Sequence, residues 1–165
     1  MRLARNMNRS MNTAVKAGSV ALLAMITTLS ASAHHSFSMF DKSTEQVIEG
    51  TVSQWAFNNP HAWLYVSTTD ENGEEVLWGF EGAAPPSLIR RGITGRTFVP
   101  GDKITVMFCP LTDGRPGGAM AWAKLADGSY VSPNDGGCRG GEESISRWEK
   151  WLEQGITSNK DAAAL

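Results

Sequence analysis

HAWLYVSTTDENGEEVLWGFEG, residues 61 to 82, reads as a β-hairpin. Ala62, Leu64 and Val66 alternate with Trp63 and Tyr65, the period of two that sends successive side chains to opposite faces of a strand. Asn72-Gly73 then supplies a two-residue turn, because both central positions of that turn must take positive φ. The return run alternates again and puts Val76, Trp78 and Phe80 on one face.

Working outward from this hairpin, more short strands follow in both directions. QVIEGTVSQW (46 to 55) places Ile48, Gly50 and Val52 on one face, and the glycine predicts a bulge or a close backbone approach. Asn58-Asn59-Pro60 breaks the chain before the hairpin. After it, Pro85-Pro86 and Gly92 bracket a short helix, with proline suited to a helix start and glycine to its end. KITVMF (103 to 108) presents Ile104, Val106 and Phe108 on one side; DGRPGG turns the chain into AMAWAKL, and Asp127-Gly128 turns it into SYVS. Three strands, a helix, then two strands and a remnant give a mainly β fold, a small five- to six-stranded OB-like barrel. An open sheet or sandwich with the same hairpins is the runner-up.

The C-terminal part changes character. Residues 133 to 141 (PNDGGCRGG) read as a loop, and EESISRWEKWLEQG spaces Ile145, Trp148 and Leu152 on one helical stripe with Gly155 as a stop. That spacing predicts a helix packed on the barrel, and the tail from Thr157 is expected to fray.

The N-terminal part has the three regions of a secretory signal. Arg2, Arg5, Arg9 and Lys16 precede the apolar run 17 to 30, and Ala31-Ser32-Ala33 gives the small-x-small cleavage pattern. The apolar run is shorter than the roughly 20 residues a bilayer needs. The domain expectation is therefore a signal peptide at 1–33, a β-barrel domain at 34–132, and loop, C-terminal helix and tail at 133–165. Removing residues 1–33 takes four of the 15 basic residues and none of the 17 acidic ones, leaving a formal charge of −6. An acidic chain whose one basic cluster is Arg90, Arg91 and Arg96 excludes a nucleic-acid surface, which needs clustered Lys and Arg to displace counterions. The expected address is periplasmic or secreted, with no membrane span after signal removal, and there disulfides persist. Cys109 and Cys138, the two cysteines, then have one connectivity. The competing reading is a metal ligand or redox thiol, although the spacing is not CxxC.

Cleavage after Ala33 would make His34 the first residue. Its free α-amine and its imidazole can bind one metal ion together, and His61, with help from His35, would complete a nitrogen set suited to Cu(II), with Zn or Ni as alternatives. Twelve residues, 34 to 45, extend to about 40 Å, against about 33 Å for a ten-residue strand, so the arm can span the barrel. Met39 and Asp41 are nearby further donors. The plainer reading makes His34 and His35 a solvated tail, and His61 a strand cap or the partner of a buried carbonyl. Ser36, Ser53 and Ser87 sit in no nucleophile elbow, and no HExxH, Walker or GxGxxG signature stands in its required context. Glu74, Glu75 and Glu81 read as a solvated strand face rather than an acid–base pair. Trp55, Phe57, Trp63, Tyr65, Trp78 and Phe80 could line a groove on the barrel for a glycan or protein partner, although part of the set must fill the core.

AHHSFSMFD, WAFNNPHAWLYV, WGFEGAAPPSLIRRGIT, PGDKITV and DGRPGGAMAW occur together between residues 31 and 131. This set resembles a family of small secreted bacterial proteins catalogued as a domain of unknown function. The resemblance implies a secreted β-rich domain without an assigned activity, and motif membership for His34, His35, Phe37, Asn59, Pro60, His61, Trp63, Arg90 and Arg91. The two cysteines and the helix after residue 141 lie outside its pattern. The leading functional reading is a non-enzymatic periplasmic domain binding a divalent transition metal, copper first, through His34, His35 and His61. An accessory module binding a glycan or a periplasmic protein through an aromatic face, and a metal-dependent oxidase-like enzyme, are the other classes.

Overall fold

The computed structural model describes residues 36–163. The expected signal segment, His34 and His35 lie outside the described residues. A 3-10 turn, Ser36–Met39, leads into β1 (Gln46–Ala56), β2 (Trp63–Thr69) and β3 (Glu75–Glu81), followed by α1 (Pro85–Arg90). Then come β4 (Lys103–Pro110), β5 (Gly117–Lys124), β6 (Tyr130–Val131), α2 (Glu142–Leu152) and α3 (Asn159–Ala162).

The sheet runs β3-β2-β1-β4-β5-β6, and β3 also pairs with β5, which closes five strands into a barrel with β6 as an extra strand. That closing pair is parallel, Gly79 to Gly117 through Glu81 to Ala119, whereas the other pairings are antiparallel. The OB-like barrel read from the strand order is the fold. Asp70 shapes the tight turn of the hairpin by accepting from the backbone N–H groups of Asn72 and Glu74.

Inward positions do what the alternation predicted. Val52, Leu64, Val66, Phe80, Ile104, Val106, Phe108 and Met120 form the core inside the barrel. β5 departs from alternation, because seven of its eight residues are buried. Its inward side fills the barrel, and its outward side, with Ala119, Ala121 and Trp122, packs with Trp148 of α2 and with Cys109 and Cys138. A third cluster, Ala62, Ala83, Leu88 and Ile93, seats α1 across one end. Gly50 marks a close approach, since a Cβ there would lie 2.7 Å from the Ser67 carbonyl oxygen. The β1 irregularity itself falls between Val52 and Gln54.

Three expectations are overturned, the first at the hairpin: Gly73 takes positive φ and Asn72 does not, and Asp70 N–H donates to the Glu74 carbonyl, so residues 71–73 make a three-residue connection rather than a two-residue turn. Residues 157 to 159 are docked, not frayed: Val47 N–H donates to the Thr157 carbonyl, Ser158 bridges Gln46, and Asn159 holds the backbone of Ser43 and Glu45. Glu81 is 6 % exposed, so the solvated-face reading fails for it. Among the described residues no helix is long and apolar enough to cross a membrane.

Candidate metal centre

The ends of three segments meet beside the α1 end of the barrel. His61 follows the cis Asn59-Pro60 peptide and lies two residues before β2, Glu81 closes β3, and Asp135 comes from the loop after β6. Their convergence is built by the backbone. Gly82 N–H donates to the Ala62 carbonyl at 2.9 Å, Ala62 N–H to the Ala83 carbonyl at 3.2 Å, and Ala83 N–H to the Pro133 carbonyl at 2.7 Å. The register that pairs Trp63 with Glu81 therefore extends beyond the strands. It brings the segment holding His61, and the loop holding Asp135, onto residues 82 and 83.

One ligand-type atom each from His61, Glu81 and Asp135 lies within 4.8 Å of the others. His61 Nδ1 is 3.1 Å from Glu81 Oε1, 3.2 Å from Asp135 Oδ2 and 3.2 Å from the Gly82 carbonyl oxygen. A ring nitrogen carries at most one proton, so three converging oxygens cannot all be satisfied by it. The two carboxylate side chains are 8 % and 9 % exposed and that of His61 31 %. Asp135 Oδ1 accepts from Gly137 N–H at 3.0 Å, whereas its buried Oδ2 has no hydrogen-bond partner. Burial pushes the Glu81 carboxyl up from its ordinary value; His61 works against that and the Asp135 charge adds to it. Two buried carboxyls sharing one face are an arrangement that a bound cation relieves, because its charge offsets both their desolvation and their mutual repulsion.

Of the ligands expected from the sequence, the structure places His61 in this cluster. Glu81, on a strand face expected to be solvated, is buried here, and Asp135 lies in the loop predicted at residues 133 to 141. Asp135 had no local signal: its neighbours are turn residues, and only the closure of the loop onto Ala83 brings it to His61. Met39 and Asp41 sit elsewhere, beside β4 and β5: the Met39 carbonyl accepts from Thr112, and Asp41 N–H donates to the Pro110 carbonyl. Cys109 and Cys138 are joined in a disulfide, which excludes the thiol-ligand reading and ties down the loop three residues after Asp135. Of the aromatic set, Phe80 is buried in the barrel core with Trp55 and Trp78 packed against it, and Phe57 packs on the cluster under α1. Trp63 and Tyr65 stack on the outer face, ring centroids 6.5 Å apart.

The family of unknown function DUF6152 matches residues 21–120, and the chain belongs to that family. His61, Glu81 and Arg91 fall inside the matched residues; Asp135 and Cys138 fall beyond them. No curated protein and no solved structure matches the chain.

Proposed function

We propose that this member of the family is an exported domain that binds a divalent transition metal, with His61, Glu81 and Asp135 as the ligands the barrel itself provides. The observation that carries the reading is the buried Asp135 Oδ2, which accepts no hydrogen bond and lies 3.2 Å from His61 Nδ1 beside a second buried carboxyl. One imidazole nitrogen and two carboxylate oxygens are donors found together around Zn(II), leaving a coordination position for water or a further ligand. A preference for copper rests on additional nitrogens. His34 and His35, which lie outside the described residues, are the proposed source of that preference, and export with cleavage after Ala33 is part of the same proposal.

The test is calorimetric titration of the exported protein, with its native N-terminus, against Zn(II) and Cu(II). One ion should bind per chain with release of protons. Asp135→Asn, Glu81→Gln and His61→Ala should each weaken binding by about tenfold or more, a loss of the size seen when metal-site groups are removed. Unchanged affinity in all three variants would overturn the barrel site. An added N-terminal Gly-Ser, or His34→Ala, should weaken Cu(II) more than Zn(II); if neither does, the amine-plus-imidazole reading falls while the barrel site stands.

A second reading has one observation in its favour. Trp63 and Tyr65 lie stacked on the outer face of β2, half-buried, with the Tyr65 ring laid over Gly79 of the neighbouring strand. Such a surface suits a sugar ring. A glycan panel that leaves Trp fluorescence of metal-free protein unchanged would count against it.

A further inference from the structure

We infer that Arg91 is the positioning residue of the metal site: it sets metal affinity by holding the loop that delivers Asp135. This rests on the metal-binding reading above. The function so far gives no role to Arg91, although it belongs to the Arg90-Arg91 pair within the sequence pattern.

The geometry is specific. Arg91 caps the C-terminal end of α1, its own N–H donating to the Leu88 carbonyl at 2.9 Å. Its guanidinium is braced by the same helix, with Nε donating to the Ser87 carbonyl at 3.4 Å and Nη2 to Ser87 Oγ at 3.3 Å. From that braced position Nη1 donates to two loop carbonyls, Ser132 at 2.9 Å and Asn134 at 2.8 Å. These carbonyls flank Pro133, and Asn134 immediately precedes Asp135. The intervening Pro133 carbonyl takes the Ala83 N–H at 2.7 Å. Three successive carbonyls, 132 to 134, are therefore held from outside the loop, two of them by one guanidinium nitrogen. On the far side Cys138 is bonded to Cys109.

A planar fork with several fixed donors can hold two carbonyls and a helix end at once; an ammonium on a flexible stem cannot do so with the same rigidity. The consequence is that α1, which carries no ligand, fixes where a ligand sits. The sign of the effect discriminates this from electrostatics. A positive side chain repels a cation, so removing Arg91 for its charge alone would tighten metal binding. Loss of positioning weakens it.

The experiment is a double-mutant cycle of Arg91→Ala with Asp135→Asn, read as Zn(II) affinity of the full exported chain. Arg91→Ala should weaken Zn(II) about tenfold or more in the wild-type background, and by less than about twofold once Asp135 is Asn, since coupled positions are not additive. In metal-free protein the Gly137 amide, which donates to Asp135 Oδ1, should exchange faster in Arg91→Ala. Should Arg91→Ala lower the folded yield, Arg91→Lys keeps the charge and should show a smaller loss in the same direction. Unchanged or tighter Zn(II) binding, or an equal loss in both backgrounds, would assign Arg91 to the fold alone. A wild type that binds no Zn(II) overturns the metal reading and this one with it; a wild type that binds, with Arg91→Ala unaffected, overturns only this one.

Discussion

At the scale of single residues, the lesson lies in carboxylates that look alike in sequence and do not behave alike. Glu75 and Glu81 bound the same strand, yet Glu75 is exposed and Glu81 buried. The difference comes from the loop laid over the end of β3, a contact some 50 residues away along the chain. Asp41 shows a third environment. Hydrogen bonds from Ser43 Oγ and Thr44 Oγ1 lower its carboxyl to about 2. A folded value below the unfolded one contributes stability above the unfolded value, and that contribution is lost as pH falls through the folded value. Asp41→Asn should therefore flatten the dependence of stability on pH between roughly 4 and 2. Urea midpoints for wild type and variant at the two ends of that window check it: the wild type should lose more on acidification. An equal loss in both proteins would show that the hydrogen bonds around Asp41 do not favour its charged form.

At the scale of elements, the outward faces of β4 and β5 explain why this barrel carries a C-terminal helix. A small barrel can leave outward side chains in water, but here Met107, Cys109, Ala119, Ala121 and Trp122 face outward and are buried. α2 covers that face with Trp148, which is fully buried and whose indole N–H donates to Glu45 Oε2 at 3.0 Å. Arg147 reaches the same oxygen at 2.6 Å. The chain entering α2 is tied back to β4 by the disulfide, whose cysteines are 29 residues apart. Closing a loop of that size lowers the entropy of the unfolded chain and stabilises the fold by about 3 to 4 kcal/mol on the chain-entropy model. The variant with Cys109→Ala and Cys138→Ala should lose an amount of that order in chemical denaturation. It should also weaken metal binding less than Asp135→Asn does, because Arg91 and Ala83 still hold the loop on its other side. A metal affinity as low as that of Asp135→Asn would make the disulfide the main tether.

At the scale of the whole molecule, a bound cation should act on folding as well as on the site. His61, Glu81 and Asp135 meet only when β2, β3 and the loop after β6 are in place, so the unfolded chain has no equivalent site. A ligand that binds only the folded state stabilises by about 2.7 kcal/mol at a hundredfold excess over its dissociation constant. Thermal unfolding with Zn(II) should therefore occur at a higher temperature than with a chelator. The shift should disappear in Glu81→Gln. A shift that persisted there would place the stabilising ion elsewhere on the chain.

The sequence by itself determined the elements and their order. Period-two alternation, Asn72-Gly73, the Pro85-Pro86 start and the Trp148 stripe are local signals, and local backbone and burial preferences suffice to read them. It also named His61 as a ligand candidate and left the cysteines one possible pairing, which the structure contains. Only the tertiary structure decided that Glu81 is buried, that residues 157 to 159 dock on β1, and that Asp135 lies against His61 with Arg91 holding the carbonyl of the residue before it. Those facts depend on the closure of β3 onto β5 and on the Pro133–Ala83 hydrogen bond, contacts between residues far apart in sequence. No run of neighbouring residues records them, because a carboxylate in a glycine-rich loop has the same local chemistry whether the loop faces water or is folded down against a histidine.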